Sequence, residues 1–133
     1  SNSSSLEVHP SVFGSSATFF TSLSADYRTL LRSAIYFAEA TTSLTLQNLT
    51  IGDTYRLQLW SNDSRPNAVV LGRATTAADT FSNTVTLAKN SATVGGSLGQ
   101  HVTGTFTATA SNQQIALNYA PAGGVIVLNA ATV

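Results

Sequence analysis

Between residues 44 and 60 apolar and polar side chains alternate. Leu44 and Leu46 interleave with Thr45 and Gln47, and Tyr55, Leu57 and Leu59 interleave with Arg56, Gln58 and Trp60. Successive side chains of a strand point to opposite faces, so this period of two predicts a pair of half-buried β-strands. A turn at Ile51-Gly52-Asp53 would join them as an antiparallel hairpin. Tyr55, Leu57 and Leu59 then face a core, which places Arg56, Gln58 and Trp60 on the opposite face. The alternation returns more cleanly where Val102, Gly104, Phe106 and Ala108 interleave with Thr103, Thr105, Thr107 and Thr109. After a turn at Asn112-Gln113 it resumes at Ile115, Leu117 and Tyr119. Residues 68–74, 83–87 and 125–133 read as further strands, the last following the turn Pro121-Ala122-Gly123-Gly124. Residues 6–23 fit one or two strands, with Val8, Val12, Phe13, Phe19 and Phe20 as burial candidates.

One segment departs from the period of two. Over residues 24–34, Ser24 can cap a helix, Asp26 sits in the first turn, where the helix dipole favours an acid, and Tyr27, Leu30, Leu31 and Ala34 share a face. A short helix follows, of the kind that plugs an open end of a β domain. About eight strands, one helix and no βαβ alternation predict an all-β fold, a two-sheet antiparallel β-sandwich of jelly-roll type. The 133 residues suit one domain. Residues 1–5, Ser-Asn-Ser-Ser-Ser, read as a disordered or appended tail and residues 6–133 as the sandwich.

Composition adds a setting. The chain has 17 serines, 19 threonines, 9 asparagines and 5 glutamines, while only 9% of its residues are charged and Lys89 is the single lysine. Uncharged polar residues therefore supply the solubility, as on a secreted or cell-surface protein, and the 43% hydrophobic content separates the chain from a disordered Ser/Thr linker. Ser1 in place of a methionine reads as a processed segment. Zero net charge removes the basic footprint that nucleic acid or an anionic membrane surface would demand. Without cysteine there are no disulfides, thiol nucleophiles or Cys-type metal sites. Runs such as Val125-Ile126-Val127-Leu128 are too short for membrane insertion.

Candidate chemistry concentrates in one place. His9 and His101 show no metal-ligand spacing, and Asp63 with Asn62 is the nearest approach to a calcium site, so no cofactor is expected beyond that weak calcium motif. No Gly-x-Ser-x-Gly elbow activates a serine, and the carboxylates of Glu7, Asp26, Glu39, Asp53, Asp63 and Asp79 are scattered singly. An enzyme is thus the third-ranked reading. Trp60, Asn62, Asp63 and Arg65, by contrast, combine a flat aromatic face with fixed hydrogen-bonding groups at the end of a strand, which is what a sugar requires. A non-catalytic module binding a glycan or polysaccharide is the first reading. In the competing architectural reading, Trp60 packs beneath the loop while Asp63 and Arg65 hold it rigid. A structural or adhesive subunit, self-associating through sheet edges that lack lysine, is the runner-up function.

The stretch from Leu44 through Gln58-Leu59-Trp60-Ser61-Asn62-Asp63-Ser64-Arg65 resembles a hairpin found in modules of large secreted proteins of environmental bacteria. Residues 98–108 resemble the strand that follows it, Asn129-Ala130 the pair in the closing strand, and residues 22–34 the upstream segment. The resemblance implies a galactose-binding-like β-sandwich in a family of passenger or sorting-tag proteins that is functionally uncharacterised, so it supplies no binding residues. The chain departs from the pattern at Pro66-Asn67, where a Gly/Ser-rich stretch is usual, and at His101, where tyrosine is common.

Overall fold

The computed structural model of this chain describes residues 4–8, 18–37, 40–63, 74–88, 99–120 and 126–133. Those residues form ten strands: β1 (Ser4–Val8), β2 (Ser33–Phe37), β3 (Thr41–Leu46), β4 (Thr54–Ser61), β5 (Ala74–Ala78), β6 (Thr84–Ala88), β7 (Gln100–Thr107), β8 (Gln113–Ala120), β9 (Ile126–Leu128) and β10 (Ala130–Thr132). A single helical turn, α1 (Thr18–Thr21), and one short helix, α2 (Ala25–Leu31), complete them. The fold is all-β and sandwich-like, with every strand pairing antiparallel.

One layer is the sheet β3-β8-β5-β6. Opposite it stand two three-stranded sheets, β1-β2-β9 and β10-β4-β7, linked by the last strand. That strand pairs with β2 through Leu128 and with β4 from Ala130, so a layer expected to be one sheet is divided at Asn129. All three sheets share one core. Leu46, Leu57, Leu59, Leu87, Phe106 and Leu117 belong to a single buried cluster to which Ile126 and Leu128 also contribute. Burial of each such side chain stabilises the fold by about 1.5–3 kcal/mol.

The predicted hairpin does not form, although both its strands exist. β3 pairs with β8 and β4 with β7, in different layers. A tight hairpin turn would have kept them in one sheet, whereas residues 47–53 cross between layers and bury Leu49 on the way. The crossing adopts positive φ at Asn48 and Gly52. It is held by Leu49 N–H donating to Ser111 O (3.0 Å), Gly52 N–H to Ala108 O (2.9 Å) and Ala108 N–H to Asp53 O (2.9 Å). The Tyr55 hydroxyl reaches back to accept from Thr50 N–H (2.8 Å).

Other boundaries move less. Ser24 caps α2, its side chain accepting from Tyr27 N–H, but the helix ends at Leu31 and Ala34 belongs to β2. β1 begins at Ser4, within the expected tail. Of the expected strand 68–74 only Ala74 lies in the described residues, where it opens β5. The strand continues through Thr75 to Ala78, beyond the expected end at Ala74. The turn that follows is organised by Asp79, whose Oδ1 accepts from the N–H groups of Phe81 and Asn83 (both 2.9 Å) and whose Oδ2 accepts from Asn83 Nδ2 (2.8 Å). Burial pushes the Asp79 carboxyl up, but these bonds, the Asn83 side chain's foremost, outweigh it and hold the group below its ordinary range. Among the described residues no helix is long and apolar enough to cross a membrane.

Candidate functional site

β4 is the middle strand of its sheet, and its last residues meet both neighbours at once. On one side Trp60 pairs with His101 and Ser61 with Gln100 of β7; on the other Trp60 pairs with Ala130 of β10. The segments that carry the family resemblance are therefore adjacent in space, with residues 58–63 between the start of β7 and the Asn129-Ala130 pair.

At Asn129 the chain leaves β2 for β4, and a fork of this kind strands backbone groups that a ladder would have paired. The Asn129 backbone N–H still donates to Trp60 O (2.9 Å). Its side chain fills the fork. Nδ2 donates to Leu31 O (3.0 Å) and Ser33 O (3.1 Å), and Oδ1 accepts from Asn62 N–H (2.7 Å). One amide thus ties the end of α2, the start of β2 and the end of β4 together, and Leu31 O is a carbonyl of the last helical turn, which has no partner inside a helix. Across β4, Asn62 does the same for β7: its Oδ1 accepts from Gly99 N–H (2.9 Å). That approach requires glycine, because a Cβ at Gly99 would lie 2.7 Å from Asn62 Cα and run into the Ser61 carbonyl.

Against this framework the four residues singled out from sequence separate. Asn62 and Asp63 are buried, at 1% and 2% exposure, and Asn62 builds the fold while lining a cleft. Trp60 lies on the outer face of β4, as its alternation requires, half-buried and stacked on His101 with ring centroids 6.0 Å apart at 27°. It does not pack in the core. Arg65 lies outside the described residues.

Beside the Trp60–His101 pair opens a cleft of about 300 Å³, lined by Tyr27 and Leu31 of α2, Ser61 of β4 and the following Asn62, and Gly99, Gln100 and His101. Ser61 faces inward at 1% exposure, and its Oγ has no hydrogen-bond partner among the described residues. Gln100 is held through Oε1, which accepts from Ala88 N–H (2.9 Å). Sequence reasoning reached Trp60 and Asn62 but not Ser61, Gln100, His101 or Asn129 as members of one site. A signal existed for Asn129, an amide interrupting the apolar run of the last strand. No group of three or more His, Asp or Glu side chains comes together among the described residues to hold a metal ion.

The threonine face of β7 is exposed at Thr103, Thr105 and Thr107, and partly engaged with β4: Gln58 Nε2 donates to Thr103 Oγ1 (3.2 Å), and the Thr54 and Thr107 hydroxyls lie 3.4 Å apart.

Comparison of the chain with protein-family models, with curated proteins and with solved structures finds no match.

Proposed function

We propose that this protein is a non-catalytic binding module of the extracellular space or cell surface, and that it takes a carbohydrate at the end of β4. The observation that carries the reading is the Trp60–His101 pair on the outer face beside a cleft of about 300 Å³. A sugar ring presents an apolar C–H face and a rim of hydroxyls; the stacked aromatics match the first, and Tyr27 and Gln100 match the second. Asn62 and Asn129 set the shape of the cleft by fixing the strand ends around it.

Glycan-array or polysaccharide pull-down of the wild type against Trp60→Ala, His101→Ala and Arg65→Ala tests the proposal, with folding followed by circular dichroism. Wild type retains a glycan, and Trp60→Ala, folded because the residue lies outside the core, loses at least tenfold in affinity, equivalent to about 1.4 kcal/mol. Retention of no glycan, or equal retention by folded Trp60→Ala, would overturn the assignment.

A further inference from the structure

A second cavity, also about 300 Å³, lies further along β7 and shares no residue with the cleft. It is bounded by β6 and β7, edge strands of different sheets that no hydrogen-bonded ladder joins. Its inner wall is the core itself, through Leu57, Leu59, Phe106 and Ile115. Its outer part is polar, through Asp79, Asn83, Thr84 and Thr105.

Gly104 keeps this side open. It falls at an inward position of β7, between the apolar side chains of Val102 and Phe106. Glycine in a strand interior is ordinarily explained by a close backbone approach or an unusual dihedral. Neither holds here: a Cβ would meet only Val85 Cγ1, at the ordinary contact distance of 3.7 Å. The missing side chain leaves space between β6 and β7 and thereby access to the apolar wall.

We propose that this slot is a binding site for a small amphipathic molecule, one apolar ring or short alkyl chain seated against Leu57, Leu59, Phe106 and Ile115, with an amine or hydroxyl head at Asp79. The volume is at the small end for ligand cavities and admits one ring or a short chain. The head group follows from the rim. Asp79 Oδ1 already accepts two N–H groups and Oδ2 accepts one, so among the described residues Oδ2 keeps an acceptor position for a donor. A carboxylate head would face the Asp79 carboxylate, with no cation among the described lining residues to compensate, and is disfavoured by like-charge repulsion. The site is independent of the carbohydrate reading, because it lies on other residues.

The test titrates the isotope-labelled protein with benzylamine, benzyl alcohol and benzoate and follows its backbone amide resonances. Benzylamine and benzyl alcohol give saturable shifts centred on Thr84, Val85, Gly104 and Thr105, and benzoate binds at least tenfold more weakly. Gly104→Val fills the slot and abolishes these shifts; Ala77→Val, which fills the same cavity from β5, does so independently should the first variant not fold. Absence of saturable shifts, binding undiminished in a folded filled variant, or benzoate binding equal to benzylamine overturns the proposal.

Discussion

Gly99, just before β7, and Gly104, in the middle of it, lie five residues apart, and their surroundings are opposite. At Gly99 the backbone of β4 presses so close that no side chain fits, and the N–H is held by Asn62. At Gly104 nothing approaches except one methyl of Val85, and the position opens onto a cavity. The first glycine closes a polar fork with hydrogen bonds, while the second leaves an apolar slot unfilled. Identical residues five positions apart thus serve opposite ends, one making the framework rigid and the other keeping it accessible. What decides between them is what faces each missing side chain: the Ser61-Asn62 backbone at one, and at the other β6, which pairs with β5 and forms no ladder with β7.

Substitution at three positions separates these regions. The largest effect is expected from Gly99→Ala, where the new Cβ forces β4 and β7 apart; the domain loses about 3 kcal/mol, the upper part of the range for overpacked sites, as read by urea denaturation. A smaller loss, about 2 kcal/mol, follows from Asn129→Ala, which leaves the Asn62 N–H and the Leu31 and Ser33 carbonyls without their partner. Asn129→Asp should be no better, since it keeps the acceptor for Asn62 but sets an acid against two carbonyls. Gly104→Ala is expected to stabilise the domain, by about 0.5–1 kcal/mol, because alanine in a strand interior loses less chain entropy and has room. A thermal melt of Gly104→Ala below that of the wild type would mean the slot is not open, and the contrast with Gly99 would fail.

The strands with the plainest alternation were legible. β4, β7 and β8 run where their period places them, and Leu57, Leu59, Phe106, Ile115, Leu117 and Tyr119 are buried as read. The Ser24 cap located α2, because capping is a local bond between a side chain and the backbone three residues on. β2 was not separated from the helix before it: Ala34-Ile35-Tyr36-Phe37 is a short apolar run, and such a run has no period to distinguish strand from helix. The hairpin was misread for a related reason, since alternation specifies which face of a strand is buried and says nothing of which strand lies beside it.

At the candidate site the division is similar. That Trp60 faces away from Leu57 and Leu59 followed from the pleat alone. That Asn62 lies inside, and that Trp60 rests on His101, depended on where a strand 41 residues later comes to pair. The amino-acid sequence by itself determined an all-β chain, the faces of its main strands and the cap of its helix, because those are properties of neighbours within a few residues. Tertiary structure alone decided the fork at Asn129, the cleft beside Trp60 and the opposite meanings of two glycines. These arise where segments distant in the chain meet, and only their meeting fixes which polar groups need partners and where a side chain has room.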